Sequence, residues 1–269
     1  METAEHFLSI QNKLGEGPLW HAGEGALYWV DIEADSFHRY YLGTDKLETF
    51  KVGQPVGFLA FRSSGGLFLG LREGLAIWDI DSAEYDLQFQ PEIGRKNARF
   101  NDGKVDPGGR LWAGTIGSDN KSNLYRLDSD GSIRVMQKGV KISNGLDWSP
   151  DREIMYFTDS PRRVIYAYDY DLATGEIGNR RNFIKVPKED GVPDGLCVDS
   201  DGFIWSAHWD GWRITRYDPE GKIERVIYLP VQRPTSCAFG GPKNNQLFIT
   251  SAWTGLSESE RKEQPLSLI

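Results

Sequence analysis

The sequence predicts an all-β fold: a six-bladed β-propeller with four-stranded antiparallel blades, forming one domain over residues 1–269. Three observations support this fold class. A weak repeat returns every 41–49 residues, the repeated segments alternate apolar and polar residues, and turn-forming residues separate them. The six copies begin near Gly25, Gly66, Gly109, Glu153, Gly202 and Asn245.

Each copy reads as short strands joined by tight turns. Leu124–Leu127 and Ile165–Tyr168 alternate with the period of two that is typical of strands. The dipeptides Asp130-Gly131 and Asp201-Gly202 favour turns. A β-sandwich is the alternative, but six nearly equal spacings argue against coincidence, and no segment predicts a long amphipathic helix.

The sixth copy is shorter than the others. The chain stops at Ile269, soon after the second turn of that copy, so its second strand is missing or very short. A closed propeller pairs strands from both chain ends to avoid an open edge. We therefore expect an incomplete last blade or a different mode of closure, with some loss of stability at that junction.

Composition limits the classes of partner. The chain has 269 residues, a net charge of -8 and no run of 18 apolar residues, which disfavours nucleic acid and membranes as partners. The first ten residues lack the pattern of a secretory signal. We expect a cytoplasmic protein in which Cys197 and Cys237, far apart in sequence, are buried thiols in a reducing compartment. The oligomeric state is left open.

Unusual polar residues recur at equivalent points of different copies, just before the predicted innermost strands. Glu16 lies between two glycines in an apolar stretch, and the pairs Asp102-Gly103, Asn144-Gly145 and Asp194-Gly195 follow about one blade apart. Taken singly, such pairs are ordinary turn dipeptides.

Taken together, three of these side chains predict a metal site. Glu16, Asn144 and Asp194 come from different blades and would meet at the propeller axis, where two buried carboxylates repel each other unless a cation joins them. An all-oxygen ligand set favours Ca²⁺, Mg²⁺ or Mn²⁺, and Zn²⁺ is an alternative because carboxylates bind it too.

The longer motifs that contain these residues resemble those of a known protein family. The chain resembles the regucalcin/gluconolactonase family, also called the senescence-marker and luciferin-regenerating family, from about Gly15 to Trp253. The motifs that carry the resemblance are GEGPLW, RFNDGKVDPGGRLWAGT, ISNGLDWSPD, PDGLCVDSDGFIWSA and TSCAFGG.

The resemblance implies a six-bladed propeller with one divalent metal ion held by Glu16, Asn144 and Asp194. It further implies that Arg99 and Asn101 contact the substrate. Asp119 falls where the family has a glutamate, which is a longer carboxylate, and the segment after Gly114-Thr115 is shorter than is usual in the family.

The expected activity is metal-dependent hydrolysis of a small sugar lactone to the aldonic acid. Asp194 would be both metal ligand and general base, Arg99 would offer a fork of donors, and Asn101 would offer a donor and an acceptor. No Gly-x-Ser-x-Gly motif supports nucleophilic catalysis, and His208 is expected to have a packing or hydrogen-bonding role. Two alternatives stay open: a non-enzymatic calcium-binding or interaction propeller, and a related lactonase or esterase with another substrate.

Overall fold

The computed structural model describes residues 4–118 and 121–264. Within these residues, antiparallel strands form six separate sheets, and short 3₁₀ turns at Ile32–Ala34, Ser160–Arg162 and Lys188–Asp190 join some of them. One short helix, α1 (Glu258–Glu263), follows the last strand. No helix in this part of the chain has both the length and the apolar character needed to cross a membrane.

Five of the sheets are four-stranded blades whose strands follow each other in chain order. The first two blades contain β1 (Gly15–His21), β2 (Ala26–Asp31), β3 (Ser36–Tyr41) and β4 (Lys46–Lys51), then β5 (Val56–Phe61), β6 (Leu67–Leu71), β7 (Leu75–Asp79) and β8 (Glu84–Phe89). The third and fourth contain β9 (Arg99–Val105), β10 (Leu111–Ile116), β11 (Ser122–Leu127) and β12 (Ile133–Val140), then β13 (Ser143–Trp148), β14 (Ile154–Asp159), β15 (Val164–Tyr170) and β16 (Ile177–Lys185). The fifth contains β17 (Val192–Val198), β18 (Ile204–Trp209), β19 (Arg213–Tyr217) and β20 (Ile223–Tyr228).

The prediction of six four-stranded blades is wrong. The structure has five such blades, and the remaining sheet has only two strands, β21 (Pro234–Gly240) and β22 (Gln246–Ser251). Each sequence repeat begins at the second strand of a sheet, so counting repeats gives the number of sheets but not the number of strands in each. After β22 the described chain turns into α1 and adds no further strand to this sheet.

Aromatic and aliphatic side chains pack the sheets against one another. The second strand of the first blade, β2, is buried along its whole length, whereas the outermost strand β4 alternates between exposed and half-buried positions. Between neighbouring blades, the rings of Phe37 and Trp78 lie 5.4 Å apart, and those of Trp112 and Trp148 lie 6.0 Å apart. Burial of both faces explains why β2 is a nearly continuous apolar run up to Asp31.

The innermost strands β1, β5, β9, β13, β17 and β21 contact one another in a ring around the axis. The ring closes where β1 meets β21. There the buried hydroxyl of Thr235 donates a 2.6 Å hydrogen bond to the carbonyl oxygen of Gly15, and Leu14 forms an isolated bridge with Ala252. The two ends of the described chain are thus joined without shared strands in one sheet.

The two cysteines lie on neighbouring inner strands. Both are buried, as predicted, but their Sγ atoms are only 3.7 Å apart. Their separation of 40 residues in sequence corresponds to the step from β17 to β21 around the ring.

Candidate functional site

A cavity of about 450 Å³ opens on the axis, at the end of the ring where the inner strands begin. Three predicted ligands line it: Glu16 from β1, Asn144 from β13 and Asp194 from β17. Asn101, from β9, lines it as well. The fold therefore brings side chains from four blades to one cavity, although they are as many as 178 positions apart in the chain.

A β-bulge occurs at each predicted ligand. The pairing register shifts between Glu16 and Leu19, between Ser143 and Leu146, and between Pro193 and Leu196. Bulges redirect side chains away from the regular alternation of a strand. This local irregularity explains how residues within inner strands can face the mouth of the axial cavity.

The glycines after two of the ligands are not turn residues, contrary to the reading of each pair taken singly. Gly145 and Gly195 lie inside β13 and β17. A Cβ atom added to Gly145 would lie 2.4 Å from the backbone nitrogen of Leu196, and one added to Gly195 would lie 2.2 Å from Oγ of Ser236. These glycines let neighbouring inner strands approach closely enough for their side chains to share the cavity.

Charge is concentrated at this cavity. Burial raises the pKa of Glu16 well above its usual value, and the nearby carboxylates of Asp194 and Asp102 raise it further. Burial and Asp102 raise the pKa of Asp194 in the same way, while the Arg99 guanidinium opposes the shift. The cavity therefore favours a positive charge beside these carboxylates.

Arg99 and Asn101 connect to the ligand set through one hydrogen-bond chain. Arg99 Nη1 donates to Asn101 Oδ1 at 2.7 Å, and Asn101 Nδ2 donates to Asn144 Oδ1 at 3.0 Å and to the carbonyl oxygen of Ser143 at 2.8 Å. Asn144 Nδ2 then donates to Ser160 Oγ at 2.8 Å. Both amide hydrogens of Asn101 are engaged by protein acceptors, so its geometry suits holding Arg99 and Asn144 in place.

Asp119, the third predicted substrate contact, lies outside the described residues. Over residues 4–118 and 121–264, no three His, Cys, Asp or Glu side chains come together as a metal-binding group. The predicted set has a different composition, because it combines two carboxylates with one amide oxygen. Its assignment as a metal site stays a prediction.

Asp102 was part of a recognised motif but was not selected from the sequence as a site residue. Burial is the main cause that raises its pKa to about 6. It lines a smaller cavity of about 60 Å³, together with Lys104, and acts electrostatically on both Glu16 and Asp194. Its place directly after Asn101 in β9 was the only sequence signal.

Sequence reasoning also missed two residues that anchor the ligand strands. Asp31 Oδ1 accepts from the backbone nitrogen of Leu14 at 3.0 Å, and Asp159 accepts from the backbone nitrogens of Lys141 and Ile142 at 3.2 and 3.5 Å. Each aspartate ends the second strand of its blade. Each is paired in register with the residue immediately before a predicted ligand.

His208 occupies the equivalent position in the fifth blade, opposite Pro193. Its Nδ1 lies 2.7 Å from the carbonyl oxygen of Asp190, and its Nε2 lies 3.3 Å from the hydroxyl of Tyr217. This agrees with the packing and hydrogen-bonding role expected for it. The shared signal, visible only in retrospect, is a polar residue at or next to the end of the second strand.

Comparison with known proteins agrees with this architecture. The SMP-30/Gluconolactonase/LRE-like region matches residues 14–253. Regucalcin from Xenopus laevis is 38% identical over 98% of this chain and 91% of its own length. A Bacillus subtilis (strain 168) protein provisionally named sugar lactone lactonase YvrE is 38% identical over 94% of this chain and 88% of its own length.

Among solved structures, a calcium-binding protein, regucalcin, from Agrobacterium tumefaciens superposes with a TM-score of 0.91 at 27% identity. The match covers 96% of this chain and 88% of that one. The match to the family region, the identity to full-length relatives and the shared fold agree. The chain therefore belongs to the SMP-30/gluconolactonase/LRE-like family.

Proposed function

We propose that this protein is a metal-dependent lactonase that opens a sugar lactone to the corresponding aldonic acid. The observation that supports this most directly is the convergence of Glu16, Asn144 and Asp194 on one cavity beside the Arg99–Asn101 pair. The family membership and the name of the Bacillus subtilis relative point to the same reaction class.

The residues present fit a divalent cation. Glu16 and Asp194 are 8% and 7% exposed, and burial and like charge raise the pKa of both. Carboxylate and amide oxygens are the donors that hard cations such as Ca²⁺ prefer. A divalent ion held there would supply Lewis-acid polarisation of the ester carbonyl.

The side chains of this chain supply the remaining steps. The carboxylate of Asp194 takes a proton from the attacking water as the water oxygen bonds to the carbonyl carbon. The bond between that carbon and the ring oxygen then breaks, and the ring oxygen takes the proton back from Asp194 to give the hydroxy acid. Arg99 lines a neighbouring cavity and not the axial one. Its guanidinium carries the donors assigned to substrate oxygens, and Asn101 links Arg99 to Asn144.

The activity can be tested with a panel of aldonolactones in a weakly buffered assay that follows acid release, with and without EDTA. We expect acceleration that EDTA removes and that added Ca²⁺, Mg²⁺, Mn²⁺ or Zn²⁺ restores. Asp194→Ala should abolish the metal-dependent rate while the circular dichroism spectrum is retained. Hydrolysis no faster than the spontaneous rate for every lactone and metal would contradict the proposal.

A second candidate function is calcium binding without catalysis, because the Agrobacterium tumefaciens relative is named as a calcium-binding protein. The same experiment separates the two. Calorimetric binding of Ca²⁺ by the protein with no acceleration of any lactone or ester would favour the non-enzymatic function.

A further inference from the structure

A second cavity, of about 540 Å³, lies beside the axial cavity and is rich in arginine. Three arginines line it, Arg72, Arg95 and Arg99, together with two glutamates and five uncharged residues. Arg99 connects the two cavities. It pairs in register with Ile116 and donates to Asn101, and both of these residues line the axial cavity. We call the second cavity the arginine cavity.

Arg72 lies at the mouth of the axial channel because of its place in the blade. It directly follows β6, the second strand of the second blade. Ile32 and Ser160 directly follow the second strands of the first and fourth blades, and both line the axial cavity. Since the blades repeat, the residue after each second strand is carried to the same end of the ring. Arg72 therefore brings a positive charge to the end at which the predicted ligands converge.

The two glutamates of the arginine cavity already have partners. Glu92 forms an ion pair with Arg95 and accepts a hydrogen bond from the Tyr125 hydroxyl at 2.9 Å. Glu73 accepts a hydrogen bond from Nε2 of Gln54 at 3.3 Å. Neither carboxylate is paired with Arg72 or Arg99 in the described part of the chain.

Both of these arginines keep free donors. Nη1 of Arg99 donates to the carbonyl oxygen of Phe100 at 2.9 Å and to Oδ1 of Asn101 at 2.7 Å. Within the residues that the structure describes, Nε and Nη2 of Arg99 have no hydrogen-bond partner, and the Arg72 side chain forms neither a hydrogen bond nor an ion pair. These donors face a cavity that is large enough to hold an anionic group.

Two guanidinium groups that line one cavity repel each other. Burial lowers the pKa of Arg99 to about 10, and Arg72 lowers it further, while the carboxylates of Glu16, Glu33 and Asp194 oppose the change. A cation held by Glu16 and Asp194 would cancel much of the attraction of these two carboxylates for Arg99. The arginine cavity then favours a negative charge, as the axial cavity favours a positive one.

We propose that Arg72 and Arg99 together bind an anionic group of the substrate, so that acidic sugar lactones are preferred to neutral ones. The anionic group is a phosphate or a carboxylate at the end of the sugar chain remote from the ester, and both match the donor fork of a guanidinium. The inference rests on the proposed lactonase function and narrows its substrate class. It adds Arg72 to the residues assigned to substrate binding.

The first test compares neutral lactones with acidic counterparts at a saturating concentration of the activating metal. δ-Gluconolactone is paired with the same lactone phosphorylated on its terminal hydroxyl. γ-Gluconolactone is paired with the γ-lactone of glucaric acid, in which a carboxylate replaces the terminal hydroxymethyl group. Contact of an anion with two guanidiniums, one of them exposed, predicts about tenfold higher kcat/KM for the acidic member of at least one pair. Ratios near or below one in both pairs would overturn the inference.

Variants of Arg72 connect this preference to the arginine cavity. Arg72 is exposed, and Arg72→Gln removes its charge, so the ratio of acidic to neutral kcat/KM should fall by about fivefold. Arg72→Lys keeps a charge but not the fork and should retain part of the preference. Arg225→Gln, at an exposed position on β20, is the matched control and should leave the ratio unchanged. An equal effect of Arg72→Gln and Arg225→Gln would contradict the role of Arg72.

Calorimetry separates this inference from the proposed function, because binding of the ring-opened acids requires no turnover. The probes are gluconate, gluconate phosphorylated on its terminal hydroxyl, and glucarate. We expect one of the two doubly acidic probes to bind about tenfold more tightly than gluconate, and Arg72→Gln to remove that difference. If no lactone is hydrolysed but this binding difference is found, only the lactonase proposal fails. If neutral lactones are hydrolysed and all three acids bind equally, only the anion-binding role fails.

Discussion

At the scale of single residues, the glycines beside the predicted ligands decide how closely neighbouring inner strands approach. An Asn-Gly or Asp-Gly pair has the same composition whether it forms a turn or lies in a strand. Gly131 and Gly202 have φ values of 83° and 84° and are turn residues, as predicted. Gly145 and Gly195 instead provide space for a neighbouring strand. That requirement depends on tertiary contacts, so periodicity could not reveal it.

Gly145→Ala tests the importance of this space. The new Cβ would meet backbone atoms of β17, which cannot move aside as a side chain can. Overpacking of this kind costs about 1–3 kcal/mol. We expect urea unfolding to show that loss of stability, and calorimetry to show weaker metal binding. The control is Gly178→Ala in the same blade, where the added Cβ has no atom within 4 Å. Equal stability of the two variants would contradict the role assigned to Gly145.

His38 gives a pH dependence that can be checked. Burial lowers its pKa from 6.5 to about 4, and Lys51 acts in the same direction. The unfolded chain therefore binds a proton at this site between pH 6.5 and 4 while the folded protein does not, and stability falls as pH is lowered through that range. The expected loss from this group is about 2 kcal/mol at pH 5 relative to pH 7.

The variant His38→Phe removes the titrating group and keeps an aromatic ring beside Trp29, on which His38 stacks at 5.0 Å. We expect its stability to fall less between pH 7 and pH 5 than that of the unaltered protein, as measured by urea unfolding at both pH values. The same pH dependence in both proteins would remove His38 as its source.

At the scale of elements, the pairing of first and second strands positions the site. Bulges in β1, β13 and β17 aim the predicted ligands, while Asp31, Asp159 and His208 anchor the chain just before them. Strand alternation predicted that these segments are strands. Bulges interrupt that alternation, so a pattern of period two could not predict them. The anchoring residues are single polar residues near strand ends, and the same pattern does not mark them.

Asp159→Asn tests one of these anchors. Asp159 is 1% exposed, accepts backbone hydrogen bonds before Asn144 and pairs with Arg162. Its amide analogue keeps the volume but loses charge and one acceptor. Loss of a residue that orients a ligand commonly weakens metal affinity by about 10- to 100-fold. We expect a higher Kd for Ca²⁺ with little change in kcat at saturating metal.

The control for this anchor is Asp201→Asn, in an exposed turn. It should leave the Ca²⁺ affinity unchanged. If Asp159→Asn also leaves the affinity unchanged, Asp159 has no positioning role.

At the scale of the whole molecule, the repeat predicted the architecture but not its completeness. The spacing of 41–49 residues located the second strand of every sheet, and the ring of inner strands follows from it. The number of strands in the last sheet depends on which segments pair after β22. The sixth sheet has two strands, and the ring of inner strands closes where β21 contacts β1.

Thr235→Val is the variant that probes this closure. It keeps the shape of the side chain and leaves the buried carbonyl oxygen of Gly15 without the hydroxyl donor. An unsatisfied buried acceptor costs about 1–3 kcal/mol. We expect lactone turnover to be lost at a lower urea concentration than in the unaltered protein. If turnover and β-sheet circular dichroism are lost at the same urea concentration in both proteins, the contact between β1 and β21 does not open before the blades unfold.

The position of this junction affects how the protein would lose activity. Gly15 is bonded across the junction, and the next residue is Glu16, so separation of β1 from β21 displaces a predicted ligand directly. The five four-stranded sheets would keep their packing after Glu16 had moved away from the other predicted ligands. Inactivation by mild heat or denaturant would then be a local and reversible event, recoverable on cooling or dilution without refolding of the blades.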